Sequence, residues 1–245
     1  MDITSFTNQD LTVIIPSLTK HHNTLTKLCI SSYSKKDISF IAPFKNLQEL
    51  VIPALSENFF RFELQYATFP YLQILKLPNG QPNTEDLMKF LEKNGKNLNE
   101  LDIDCDDKLK FSIVQFCPNL KKLSIIFETD TLKVIFNGCQ DLESIMVHYD
   151  NRSLNEKELL EIVAKYSPKN FYELKIYNDS PTKLLSEDLE SFLINWGNRI
   201  PRKSLTWIVY GEGYGYNEGI ITTIEKYKKL GIIRKFGFEM FDAEM

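Results

Sequence analysis

Leu120-Lys121-Lys122-Leu123-Ser124-Ile125 sets three apolar residues at a fixed spacing: one, then two variable positions, a second, one variable position, and a third. The pattern recurs along the chain. Before it stand Leu25-x-x-Leu28-x-Ile30, Leu47-x-x-Leu50-x-Ile52, Leu72-x-x-Leu75-x-Leu77 and Leu98-x-x-Leu101-x-Ile103. After it come Leu142-x-x-Ile145-x-Val147 and Phe171-x-x-Leu174-x-Ile176. Two weaker copies close the series, Leu205-x-x-Ile208-x-Tyr210 and Ile233-x-x-Phe236-x-Phe238. First positions are 22, 25, 26, 22, 22, 29, 34 and 28 residues apart. Positions four and six flank a variable residue, the period of a strand that buries one face.

A period of roughly 20–29 residues with this spacing is the signature of a leucine-rich repeat. The strands alternate with helix-like segments, so crossover connections should set them parallel. One such unit cannot cover its own apolar face, and stacking neighbours closes the core. The expectation is an α/β leucine-rich-repeat solenoid of about nine repeats. It is a curved right-handed array with a parallel sheet on the concave face and helices and 3-10 turns on the convex face. Residues 1–24 read as an N-terminal capping segment and 25–245 as one continuous repeat domain.

The connecting segments carry helix signals. Asn83 or Thr84 can cap a helix whose stripe is Leu87, Phe90 and Leu91, with Gly95 at its end. Ser186-Glu187-Asp188-Leu189 repeats the scheme with Phe192, Leu193 and Trp196 on one face and Gly197 behind it. Asn155 can cap Glu156 to Lys165, and a last helix spans about Gly219 to Leu230, ending at Gly231. The 22-residue repeats leave room for a short helix or a 3-10 turn, so the second half should hold the fuller helices. Leu11, Ile14, Ile15 and Leu18 suggest an N-terminal helix that Pro16 forces to start late or to kink.

The net charge of −4 argues against nucleic acid, which draws an excess of Lys and Arg. No apolar run approaches the roughly 20 residues of a membrane span. The N-terminal stretch lacks a secretory pattern, so the cytoplasm or nucleus is the expected compartment. Cys29, Cys105, Cys117 and Cys139 form no Cys-x-x-Cys, so no metal or other cofactor is expected.

Cys117-Pro118-Asn119-Leu120 and Cys139-Gln140-Asp141-Leu142 place cysteine alike, one repeat apart. This phrase resembles the cysteine-containing class of leucine-rich repeat, and is similar to the repeat regions of fungal F-box-like proteins and to the ribonuclease-inhibitor-like superfamily. The resemblance covers roughly residues 20–240. It implies a noncatalytic protein-interaction scaffold of the kind that holds substrates for a ubiquitin ligase. The alternative it leaves open is a stand-alone inhibitor or decoy of the ribonuclease-inhibitor type. Few residues precede the first repeat and they hold no F-box pattern, so Skp and cullin partners are expected only if an F-box lies outside this chain. Buried thiols, not a disulfide, are expected for Cys117 and Cys139.

If positions four and six point inward, positions three, five and seven project from the concave sheet. That face then carries an acidic row, Glu100, Asp102 and Asp104, between Lys76 and Lys122. Farther along lie Met146, His148, Lys175, Tyr177 and Trp207, with Val209 and Gly211 completing the eighth copy. Aromatic and thioether side chains suit protein interfaces, and these residues are the expected partner contacts. Two bland readings stay open: acids and lysines pairing across strands, and aromatics packing under loops.

Gly211-x-Gly213-x-x ends in Tyr216 where a phosphate loop needs a third glycine. Asp102, Asp104, Asp106 and Asp107 lack the glycine and closing glutamate of a calcium loop. No Ser/His/Asp or Cys/His pattern selects itself, and an enzyme is not expected.

Overall fold

Polar side chains at helix starts and apolar stripes at strand positions four and six decide the elements. The computed structural model describes residues 2–3, 11–30, 39–52, 64–78, 82–103, 108–148, 155–177, 182–211 and 216–239. The chain divides into two compact units, Met1–Leu123 and Ser124–Met245.

The first unit holds β1 (Asp2–Ile3), α1 (Leu11–Leu18), β2 (Lys27–Cys29), β3 (Glu49–Val51), β4 (Ile74–Leu77), α2 (Thr84–Asn94), β5 (Glu100–Ile103) and α3 (Leu109–Phe116). Three-residue 3-10 turns at Ser39–Ile41 and Leu64–Tyr66 occupy the links after β2 and β3. Its strands pair in chain order, all parallel, with Leu28, Leu50, Leu75 and Leu101 in one register line. β1 precedes the first predicted repeat and pairs with β2; a two-residue strand leaves no period to read in the sequence.

The division falls within β6 (Lys122–Ile126). The second unit continues with α4 (Thr129–Gly138), β7 (Ser144–His148), α5 (Glu156–Tyr166), β8 (Glu173–Tyr177), α6 (Ser186–Gly197), β9 (Leu205–Tyr210), α7 (Glu218–Lys229) and β10 (Ile233–Glu239). β7 to β10 are again parallel and in chain order. Parallel strands alternating with helices or 3-10 turns make an α/β fold compatible with a solenoid of repeats.

Through the seventh copy, the ladder residues at positions one, four and six are at most 4% exposed. Burying a leucine or isoleucine this fully stabilises by about 1.5–3 kcal/mol against leaving it in water, so the ladder contributes strongly to the apolar core, together with link and helix residues such as Phe90, Phe136 and Trp196.

The caps read from sequence at Asn83 and Asn155 form, Asn217 caps α7 without having been read, and α6 starts at Ser186 behind Leu185 with no side-chain cap bond. Asn83 accepts from the backbone N–H of Glu85 and Asp86, at 3.0 and 3.2 Å. Asn155 accepts from Glu158 N–H at 3.2 Å, and Asn217 from Ile220 N–H at 2.9 Å. Each satisfies an amide that the first helical turn leaves without a partner. Gly95 is the C-cap of α2, its N–H donating to Leu91 O, with an ordinary φ of −64°. A Cβ there would lie 2.7 Å from Phe116 O and 2.9 Å from Cys117 Sγ, so glycine permits close approach to the end of α3. Gly231, with φ +70°, does end its helix in the left-handed conformation. Of the 22-residue repeats, two hold short helices, α3 of 8 residues and α4 of 10, and the first holds the 3-10 turn Ser39–Ile41 among its described residues. α5, α6 and α7 run 11, 12 and 12 residues; α2 in the first half also has 11, so the expected contrast in helix length between the halves holds only for α1 and α3. Pro16 lies inside the eight-residue α1. Among the described residues no helix is long and apolar enough to cross a membrane.

Candidate functional site

In both units the residues between ladder positions form rows on the strand face opposite the ladder. In the first unit Lys27, Glu49, Ile74 and Glu100 are successive partners in one row, and Cys29, Val51, Lys76 and Asp102 in the next. Lys27 Nζ meets Glu49 at 2.9 Å. Lys76 Nζ meets Glu100 at 2.9 Å, and Lys122 Nζ approaches the second oxygen of Glu100 at 3.5 Å. Burial pushes the Glu100 carboxyl up, but the Lys76 hydrogen bond and charge, joined by Lys122, outweigh it and hold it below its ordinary value. The predicted acidic row is therefore partly neutralised: Glu100 is clamped between two lysines. Asp102 is half-buried and has no ion-pair partner among the described residues. Asp104 lies outside the described residues, as do Ser31, Pro53 and the glycine-loop residues 212–215.

In the second unit Ser144 pairs with Glu173, Met146 with Lys175, and His148 with Tyr177. Ser144 Oγ donates to Glu173 Oε2 at 2.6 Å, and Lys175 Nζ meets the same oxygen at 3.2 Å. The His148 and Tyr177 rings lie 5.6 Å apart, tilted by 35°. His148 Nε2 and Ser124 Oγ are 2.8 Å apart, a contact between residues 24 positions apart that the sequence did not advertise. A serine hydroxyl on an imidazole is the beginning of a nucleophile–base pair. Ser124 is only 7% exposed within its strand, so here the bond orients the imidazole.

Trp207 requires a correction. It was expected on the outward face, but its register partner is Leu174, a ladder residue, and it is fully buried. Its ring centroid lies 6.3 Å from Phe192 of α6, 6.3 Å from Tyr216 and 5.5 Å from Phe236. Val209 likewise pairs with Ile176 and belongs to the core side. The eighth copy is thus out of phase by one residue, which exchanges the faces of every side chain in the strand. All six residues of β9 are buried and five are apolar, so an apolar ladder can be drawn in either phase. The outward positions belong to Thr206, Ile208 and Tyr210.

Tyr210 consequently enters the row beside Tyr177 that had been assigned to the eighth copy's other phase. Its hydroxyl donates to Glu239 Oε2 at 3.1 Å. Burial first, then the Glu239 carboxylate, push its pKa up to about 12. His148, Tyr177 and Tyr210 form one continuous aromatic row across three strands. Met146 and Lys175 are half-buried in the adjoining row.

The chain matches no protein-family model and no curated protein. The rows are what its chemistry must be read from. They offer amphipathic rings, a thioether and side-chain charges on strands whose backbone is fixed by pairing, which suits recognition of a surface. Cys117 and Cys139 are buried thiols outside any disulfide, and burial pushes Cys139 up to about 11, far from a reactive thiolate.

Proposed function

We propose that this chain is a noncatalytic leucine-rich-repeat scaffold that binds a protein partner on the outward strand rows. In this reading the array curves so that those rows line its concave side. It works in the manner of the substrate-recognition repeats of an F-box protein. The observation that carries the reading is the aromatic row His148, Tyr177 and Tyr210, flanked by Met146 and Lys175. Tyr and Met are side chains that interfaces favour, and ladder pairing holds them in place before a partner arrives, so little conformational entropy is lost on binding.

A photocrosslinking residue introduced at Tyr177, compared with one at exposed Glu92 on α2, tests the site. Crosslinking from position 177 alone supports the reading. With the captured protein purified, His148→Ala combined with Tyr177→Ala should weaken binding by about 2 kcal/mol, roughly thirtyfold. Unchanged affinity would overturn the assignment of the aromatic row. Recovery of Skp and cullin components with the full protein separates a ligase receptor from an inhibitor or decoy.

A further inference from the structure

Among the described residues β10, a seven-residue strand paired with β9, is the last strand in the order of the sheet. Among the described residues, no backbone hydrogen bond is made on its other edge. Such an edge is a template for another strand, and natural proteins blunt it with charged side chains, above all lysine, with proline, a bulge or a short length; β10 carries Arg234, Lys235 and Glu239. β10 has no proline, and its register shift lies at the start, between Ile233 and Lys235. The regular remainder is Lys235-Phe236-Gly237-Phe238-Glu239. This stretch is complementary to itself. Laid antiparallel to a copy about Gly237, it sets Lys235 opposite Glu239 of the copy and Phe236 opposite Phe238 of the copy. Opposite charges and aromatic pairs are the cross-strand neighbours that favour pairing. Lys235 Nζ and Glu239 Oε1 already meet at 2.8 Å within the strand, and the Phe236 and Phe238 rings stand 5.3 Å apart. Phe238 remains 46% exposed.

Helix α7, packed on β10, repeats the complementarity. Its outer groove runs from Glu218 in the first turn to Lys229 in the last, with exposed Ile221 and Leu230 along it. A two-fold through Gly237 sets the copy's helix antiparallel, acidic end toward basic end. We propose that the chain forms a two-fold dimer by antiparallel pairing of β10 with β10 of a second copy, with α7 flanking α7. Such an interface is isologous: residue 235 meets 239 of the copy, and 239 meets 235.

Sedimentation equilibrium of the full chain should give twice the 28.5 kDa of one chain as concentration rises. Lys235→Glu alone and Glu239→Lys alone each set like charges opposite one another and should weaken association at least tenfold. An equimolar mixture of the two variants should regain the dimer, because only the mixed pair opposes unlike charges. That rescue separates the interface from any harm to folding, since the contact within each strand stays repulsive in the mixture. A wild-type chain that stays monomeric, single variants that associate like the wild type, or a mixture that stays monomeric would each overturn the proposal.

Discussion

The two units bury the same apolar ladder, yet they hold their neighbouring repeats together by different chemistry. In the first, an asparagine just before position one reaches back one repeat: Asn46 to Asn23 O, Asn97 to Pro70 O and Asn119 to Lys96 O. Buried Asn94 does the same from α2, accepting from Phe69 N–H at 2.7 Å and donating to Ala67 O at 2.9 Å. In the second, long cationic side chains take the larger share, a role that Lys45 plays in the first by donating to Thr68 O at 3.2 Å. Arg199 donates to Ser167 O and Pro168 O at 2.8 and 2.7 Å, and Lys203 to Asn170 O at 3.2 Å. Where the links are short, a small amide spans the gap and the backbone stays close. Where they lengthen to 29 and 34 residues, the gap is filled by full helices and by a relay of rings. That relay runs from Phe136 through Phe171, Trp196, Phe192 and Trp207 to Phe236.

Breaking the ring relay should have the largest effect. Trp207→Ala deletes a fully buried indole at its junction and should cost about 3–5 kcal/mol in chemical denaturation. A neutral outcome would mean that Trp207 lies on the surface and that the phase correction of β9 is wrong. Next is the amide linkage of the first unit. Asn94→Ala strands a buried backbone N–H and C=O and should cost about 2–3 kcal/mol, read as a shift in denaturation midpoint.

Two carboxyls sharpen the contrast through pH. Glu156 at the start of α5 is 2% exposed, and desolvation raises its pKa although Thr182 Oγ1 donates to it. A carboxyl raised on folding makes the protein less stable as pH climbs from its unfolded value, 4.5, through the folded value. Glu156→Gln should remove that decline, adding about 1 kcal/mol at neutral pH and little at pH 4. Glu100 has the opposite sign. Its lowered pKa contributes stability that is present above 4.5 and is lost as pH falls through the folded value. Glu100→Gln should flatten that acid limb at a cost of at most about 1 kcal/mol, the range of partly exposed ion pairs. Thermal melts of the two variants between pH 3 and 8 check both slopes; parallel slopes would refute the contrast.

The ladder was legible because it is one-dimensional. Repeated spacing and period two are properties of neighbours in the chain, and seven copies are buried as written. Caps at Asn83 and Asn155 were legible for the same reason, since a cap reaches only two or three residues. The outward rows followed wherever a polar residue separated the apolar ones, and the structure puts Glu100 with Lys76 and Lys122 and His148 with Tyr177.

What the chain alone determined, then, is the alternation of strands with helices or turns and the inward face of the first seven copies. Only the tertiary structure decided the face of β9, the burial of Trp207 and the place of Tyr210 in the aromatic row. Five of the six residues of β9 are apolar and all six are buried, so its own pattern cannot choose a phase; pairing with β8 chooses it. The same holds for Asn94 and for Ser124 with His148, whose partners lie 24–27 residues away. A hydrogen bond across a repeat is set by how neighbouring turns of chain stack, and no local spacing encodes that distance.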